Sequence, residues 1–328
     1  MHYFCTLFDS NYLNRGLALY QSLCQHSQDF HLFVVAFDEL AYQILTDFNL
    51  PKLTVIELAE FEDPELLQIK PTRTRGEYCW TCTPSIIWYM LQKFELKACT
   101  YLDADLYFYQ DPSCLIEEMG DNEILLTEHR YTPGYDMSAT SGRFCVQFMT
   151  FKNAPNALAA LQWWRQACIN WCFNRFEAGK FGDQKYLDDW LERFDKVHNL
   201  RHLGGGVAPW NVQQYHFLSQ LDSVQGVVNN GGQSFAVVFF HFHGLGLLDR
   251  QRADLGGYPL TQNTIQALYR PYLNTLAQVN LKLQGKLKDP FCDQFIKAPS
   301  WIQRLKRKLK GTDNLINLAK GLKHGAMV

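Results

Sequence analysis

The sequence predicts an α/β fold with a mostly parallel sheet flanked by helices. Three observations predict it. Strand-like and helix-like patterns alternate through the first half, an acidic or hydroxyl residue followed by proline twice marks a helix start, and an apolar run ends in Asp103-Ala104-Asp105. Strands separated by helices imply βαβ units with right-handed crossovers. Ligands of such sheets bind beyond the carboxyl ends of the strands, where Asp103 and Asp105 are expected to fall.

In order, Tyr3 to Phe8 reads as a strand, and a helix follows with apolar Leu13, Leu17, Tyr20, Leu23 and Cys24 at helical spacing. His31 to Phe37 is a second strand, and Asp38 is an N-cap for a helix reaching about Asn49. Leu53 to Leu58 is a third strand, and Asp63-Pro64 supplies a cap followed by proline at the first helical position. Thr83-Pro84 repeats that signature and predicts a helix from Ser85 to Phe94, leading into the strand before Asp103. Beyond it, Ile124 to Thr127 and Phe144 to Phe151 read as strands, and Asn156 to Asn174 as an aromatic-rich helix. Gly182-Asp183-Gln184 opens a helix through Glu192, and Phe235 to His243 is an apolar strand ending in histidine. Gly204-Gly205-Gly206 and Asn229-Asn230-Gly231-Gly232 are turn signals.

A length of 328 residues allows one large α/β domain or two smaller ones, and a hydrophobic fraction of 47% with 20% charged residues excludes disorder. A net charge of −2 argues against a nucleic-acid partner. Met1 to Cys5 opens directly into a strand-like run with no secretory pattern, and no apolar run reaches membrane-spanning length, so a cytoplasmic protein is expected. The ten cysteines are scattered, as reduced thiols would be. Cys79-x-x-Cys82 and Cys168-x-x-x-Cys172 have zinc-like spacing, but both pairs lie among aromatic residues and read as small buried apolar side chains. From about Ser300 the composition shifts: Trp301 to Lys310 holds five basic residues and no acidic one, with Trp301, Ile302, Leu305 and Leu309 on one helical face. A solvated helix packed on the domain and a helix lying in an anionic membrane interface both fit that pattern.

Side chains alternate along a strand, so Asp103 and Asp105 project the same way. Two carboxylates held together repel unless a cation lies between them, and an oxygen pair suits Mn²⁺ or Mg²⁺, which in turn hold phosphate oxygens. Asp9-Ser10-Asn11-Tyr12 follows the first strand at the same sheet edge. There an Asp or Asn can bond a base edge and Tyr12 can stack on its face, although taken alone the segment reads more readily as an ordinary helix N-cap with a packed tyrosine. His241-Phe242-His243-Gly244 ends the late strand and offers an imidazole ligand from either histidine.

With these residues the chain resembles the GT-A-fold nucleotide-sugar glycosyltransferases, Rossmann-like proteins with a mixed, mostly parallel sheet, and most closely the retaining glycogenin and lipopolysaccharide galactosyltransferase group. The resemblance spans residues 1 to about 250. It implies that Asp9, Asn11 and Tyr12 bind uridine, that Asp103, Ala104 and Asp105 form the Asp-x-Asp strand end, and that Asp183-Gln184 lies beside the donor sugar. It also implies that His241-x-x-Gly244 begins a His-x-x-Gly segment whose histidine is the third metal ligand, which selects His241 over His243. Three family features are absent. Leu247-Leu248-Asp249 stands where a Lys-Pro-Trp is usual, Cys145-Val146-Gln147 where an Asn-x-Gly is usual, and the Ser85 to Phe94 helix lacks an arginine. Arg250 or Arg252, and Lys70, Arg73 or Arg75, are the candidate replacement cations.

The resulting expectation is a metal-dependent transferase moving a sugar from a nucleoside-diphosphate sugar to a saccharide or lipid-linked acceptor, with retention. Residues 1–255 form its catalytic domain and 256–328 a helical extension with a basic tail. An inverting reaction would instead need a carboxylate base, for which Glu128, Asp136 and Asp188 are candidates. Trp210, in Pro209-Trp210-Asn211, is either a sugar platform or a buried loop residue. The rival functions are a phosphohydrolase or nucleotidyltransferase using the same carboxylates, and a non-catalytic sugar-nucleotide binder. Asp-x-Asp phosphohydrolases want a following Thr or Ser, and Leu106-Tyr107 supplies neither.

Overall fold

The computed structural model describes residues 1–220, 223–293 and 296–318. Its centre is a seven-stranded sheet. In chain order the strands are β1 (His2–Phe8), β2 (Phe30–Ala36), β3 (Leu53–Glu57), β4 (Ala98–Leu102), β6 (Ile124–Glu128), β7 (Phe144–Lys152) and β8 (Val197–Asn199), arranged β3-β2-β1-β4-β7-β6-β8. A short strand outside this sheet, β5 (Leu106–Phe108), follows β4. Every pairing in the large sheet is parallel except those of β7, which runs antiparallel to both β4 and β6. The expected mostly parallel sheet is therefore what forms.

Both faces of the sheet are covered, so its strands are apolar on both sides. Cys5 and Leu7 of β1 face the Arg75–Lys93 and Pro155–Asn170 helices, whereas Phe4 and Phe8 face the Leu13–His26 helix. In that helix Leu13, Leu17, Tyr20 and Leu23 are buried as their spacing predicts, but Cys24 is exposed. Asp38 caps the Glu39–Phe48 helix through Ala41 N at 2.8 Å, and Asp63 caps Pro64–Ile69 through Leu66 N at 3.0 Å.

Four boundaries differ from the sequence reading. The helix expected from Ser85 starts at Arg75, because Thr74 and Glu77 form a reciprocal capping box and Pro84 lies inside the helix. Proline removes one intrahelical bond, and a long face with Tyr78, Cys82, Ile86, Ile87 and Met90 buried compensates. The helix expected through Glu192 is a short turn, Gln184–Leu187, followed by another, Trp190–Arg193. The aromatic helix stops at Asn170. The strand expected from Phe235 to His243 is split into β11 (Ser234–Ala236) and β12 (Phe239–His241). Between them Val237 N bonds Val224 O at 2.8 Å and Val238 N bonds Gly204 O at 2.9 Å, so each half joins a different partner.

β11 edges a small antiparallel sheet with β9 (Tyr215–Ser219) and β10 (Val224–Val228). β12 pairs antiparallel with β5, and His241 lies opposite Leu106. This two-stranded ribbon brings the late histidine to the end of β4. The C-terminal part packs back onto the first helix. Arg15 forms a buried ion pair with Asp293 at 2.6 Å and bonds Leu245 O at 3.0 Å, while Asn14 bonds Asn280 at 3.1 Å. β13 (Gly246–Asp249), β14 (Arg252–Asp254) and β15 (Leu315–Asn317) close a third small sheet.

Candidate active site

Asp103 and Asp105 sit in the tight turn joining β4 to β5, closed by Leu106 N on Asp103 O at 3.2 Å. Ala104 between them is buried among Leu102, Leu106 and Phe148, which directs both carboxylates outward. Phe242 N bonds Asp105 O at 3.0 Å and His241 N bonds Val207 O at 2.9 Å, fixing the end of β12 over the turn. His241 Nε2 thereby stands 3.1 Å from Asp105 Oδ1 and 3.7 Å from Asp103 Oδ2. Gly244 follows with φ of 76°, a left-handed conformation that glycine takes without strain and that turns the chain away from the site.

Ligand atoms of Asp103, Cys145 and His241 all lie within 4.8 Å of one another, a spacing that could hold a divalent ion, and Asp105 adjoins that group through His241. Neighbouring ligands on an octahedral ion with bonds of about 2.1 Å stand about 3 Å apart, close to the separation of His241 from Asp105. The second ring nitrogen of His241 is held by Gln147 Oε1 at 2.7 Å, and a carbonyl oxygen can only accept, so Nδ1 carries a proton and Nε2 faces the carboxylates. Burial raises the Asp103 carboxyl, the Asp105 charge adds to that, and His241 opposes it. Burial acts the same way on Asp105, but the charge and hydrogen bond of His241 outweigh it and hold Asp105 low. Burial works against a charge on His241, and the two carboxylates overcome it and raise its pKa well above the ordinary value. Without an ion, the imidazolium balances the acidic pair. His243 lies outside the strand, and burial together with the His241 charge lowers it.

Asp9 is used by its own turn: Asn11 N and Tyr12 N bond its Oδ1 at 2.8 and 3.2 Å, and Asn11 Nδ2 bonds Oδ2 at 3.3 Å. Of the three candidate cations in the 70–75 segment, Arg75 alone reaches this segment. It bridges Asp9 and Asp38, and Asp38 also accepts from Ser10 Oγ at 2.7 Å. Lys70 is paired with Glu62 at 2.6 Å, and Arg73 lies over the Phe173 ring at 4.0 Å and bonds Ile169 O. Arg250 lies 4.1 Å over Phe291 and Arg252 pairs with Asp249 at 2.6 Å, so neither is directed at the carboxylates. The Tyr12 hydroxyl is raised by burial and then by the Asp105 charge, which joins the N-terminal segment to the acidic turn.

Asp183 is buried beside this cluster. Burial, with the Asp103 charge second, pushes its carboxyl up to about 7. The Gln184 amide bonds Ser141 O at 2.5 Å and so ties its turn to the 138–142 segment. Among the candidate bases, Glu128 is paired with Arg143 at 2.5 Å, Asp188 pairs with Lys185 at 2.6 Å and accepts from Arg143 N at 2.7 Å, and Asp136 accepts from Ser138 N at 2.8 Å. Trp210 is buried, with its ring centroid 5.3 Å from that of His241 and its Nε1 on His129 O at 2.9 Å, so it walls the imidazole rather than forming an open platform. Gln147 and His129 are parts of the site that sequence reasoning did not assign. The Gln147 signal was a lone amide in the otherwise apolar run from Phe144 to Met149.

A mixed, mostly parallel sheet flanked by helices, with β7 antiparallel within it, is the architecture of the GT-A fold. The solved structure of the galactosyltransferase LgtC in complex with donor and acceptor sugar analogues is similar to this chain with a TM-score of 0.53 at 14% identity, covering 87% of this chain and 100% of that one. An active-site mutant of LgtC gives the same TM-score at 12% identity. No protein-family model matches the chain. It belongs to the family of two Bacillus subtilis (strain 168) proteins, the uncharacterized YfnD and YfnF. It is 31% identical to YfnD over 300 residues, covering 90% of this chain and 94% of YfnD, and 32% identical to YfnF over 249 residues, covering 74% and 80%.

Proposed function

We propose that this protein is a glycosyltransferase that transfers a sugar from a nucleoside-diphosphate sugar, a UDP-sugar by its family resemblance, to a polysaccharide or lipid-linked acceptor with retention. The observation that carries the reading is the meeting of His241 with Asp103 and Asp105 at the carboxyl end of β4. LgtC, which shares the fold, is a galactosyltransferase seen with donor and acceptor sugar analogues, and this supports the same class of reaction here. Asp9, Asn11 and Tyr12 take the base, and Asp103, Asp105 and His241 hold the ion. A bound Mn²⁺ or Mg²⁺ supplies Lewis-acid neutralisation of the charge on the departing diphosphate. Asp183, whose carboxyl keeps its proton up to about pH 7, can donate to or accept from a sugar hydroxyl, and Gln184 stands next to it in the turn. Glu128 and Asp188 are each engaged by a cation, which argues against either of them as an inverting base.

The test is calorimetric titration of UDP with and without Mn²⁺, followed by a screen of donors for hydrolysis. UDP binding is expected to need the metal and to collapse in Asp105→Ala. Equally strong binding without metal refutes the scheme.

The same reading divides the chain into a catalytic domain of residues 1–255 and an extension of 256–328, and gives the tail a membrane role. Among the described residues no helix is long and apolar enough to cross a membrane. The Trp301–Leu309 helix turns its two arginines inward, Arg304 to Asp313 at 2.9 Å and Arg307 to Asp254 at 2.5 Å, and leaves Lys306 and Lys308 exposed. Its apolar residues remain outside, Trp301 being 75% and Leu309 83% exposed. An apolar strip beside Lys306, Lys308 and Lys310 suits an anionic lipid surface. The last residues of the basic tail, 319–328, lie outside the described ones. Because β15 is bonded along β14, cutting at Ser300 would unpair a strand. Replacing Trp301, Ile302, Leu305 and Leu309 together by Ser is the cleaner test. The variant should leave anionic vesicles and keep donor hydrolysis; continued co-sedimentation with vesicles refutes the membrane role.

A further inference from the structure

Cys145 and Gln147 occupy the strand positions where the resembled family has a different sequence, and the structure puts both against His241. They leave the same face of β7 two residues apart. β7 is joined to the acidic turn by Asp103 N on Gln147 O at 3.0 Å. Gln147 accepts from Nδ1 of the imidazole at 2.7 Å. The Cys145 sulfur lies with ligand atoms of Asp103 and His241 in a group whose members are all within 4.8 Å of one another. Ala208 and Trp210 pack over Cys145, which is 4% exposed, so the thiol has the imidazole and carboxylate on one side and an apolar wall on the other. Oxygen, nitrogen and sulfur donors thus converge from three separate strand ends.

We propose that Cys145 is a sulfur ligand of this divalent-ion site, alongside Asp103 and His241, so that the site prefers thiophilic ions such as Zn²⁺, Co²⁺ or Cd²⁺ over Mg²⁺. The inference rests on the reading that Asp103 and His241 hold an ion. Soft donors favour such ions, and carboxylate oxygens alone do not discriminate in that direction. Binding forms a metal–sulfur bond and breaks the S–H bond, and the proton leaves to solvent, with no change of oxidation state. Gln147 acts beside it as a positioning residue that keeps Nε2 of His241 turned toward the ion. The competing account is that Cys145 only fills space beneath the imidazole, as buried cysteines often do.

Co²⁺ titration of the full chain, read by absorption, separates the two. The wild-type protein should show a sulfur-to-cobalt charge-transfer band that Cys145→Ser and Cys145→Ala both lose. Cd²⁺ affinity should fall about tenfold or more in both variants, as expected for loss of a ligand, with Mg²⁺ affinity little changed. Thermal melts of both variants check folding, since serine keeps the size and alanine the apolarity. Co²⁺ binding that needs His241 but shows no band overturns the inference. So does a band that survives in Cys145→Ser, which would belong to another cysteine, or an unchanged Cd²⁺ affinity. If His241→Ala and Asp103→Ala also leave every ion's affinity unchanged, the metal reading itself has failed and takes this inference with it.

Discussion

Asp183→Asn should make the protein more stable while removing a group assigned to the sugar site. The ordinary carboxyl value near 3.8 rises to about 7 at Asp183, first through burial and then through the Asp103 charge. A raised folded-state pKa means that the native protein holds this proton over a range where the unfolded chain has released it. The associated stability is complete below about pH 4 and is lost as pH rises through about 7. At 1.36 kcal/mol per pH unit, the buried charge costs about 4 kcal/mol at pH 8. Asparagine has nearly the same shape and no charge, so the variant escapes that cost. Thermal unfolding in the presence of a chelator at pH 5, 6, 7 and 8 should show the variant's advantage growing with pH, to on the order of 5–10 °C at the top. The chelator matters because a cation on Asp103 would stabilise the Asp183 charge and hide the effect. Parallel melting curves for the two proteins across this range would refute the reasoning.

Three further outcomes follow from other sites. Burial pushes the His129 imidazole down to about 3, so its contribution is intact above about pH 6.5 and is lost as pH falls toward 3; His129→Phe, which can keep the 4.6 Å stack on Tyr131, should flatten the acid limb of the stability curve measured by denaturant titration. Arg15→Met strands a buried Asp293 and should cost about 3–5 kcal/mol in urea unfolding, and the double variant Arg15→Met/Asp293→Leu should recover a good part of it. Gly204→Ala would place its methyl 1.8 Å from Ala236 O and so drive the 204–206 loop off β11, whereas Gly134→Ala meets nothing within 4 Å; the first should express insolubly or melt early and the second behave as wild type.

The parts of the fold legible in the sequence were those set by local chemistry. Asp38 and Asp63 cap helices because a short carboxylate before an apolar periodic run has few other uses, and the structure shows both bonds. The alternation of β1 was readable because both of its faces are covered. Thr83-Pro84 misled for the complementary reason: a local start signal says nothing about a stronger one upstream, and the Thr74–Glu77 box had already begun the helix. The break in the Phe235 to His243 run was equally invisible, since Val237 and Val238 are strand formers and only their bonds to Val224 and Gly204 divide it.

That break is also what makes the candidate site. A continuous strand would have kept one partner along its length, and nothing would have returned His241 to the acidic turn. By changing partners at Val237, the chain lays Phe239–His241 along Leu106–Phe108, a strand that starts one residue after Asp105. The register with His241 opposite Leu106 then fixes the imidazole to within hydrogen-bond reach of the carboxylates. Spacing along the chain could nominate His241 only through a family resemblance, because the geometry is long-range. Gln147 and Cys145 were harder still: their roles depend on β7 running antiparallel between two strands in an otherwise parallel sheet. An amide at that place in an apolar strand is costly unless something bonds it; its oxygen finds the ring of His241, and its Nε2 is left buried without a hydrogen bond. A lone polar side chain in a run otherwise committed to the core is therefore the sequence signal that would have led to the back of this site.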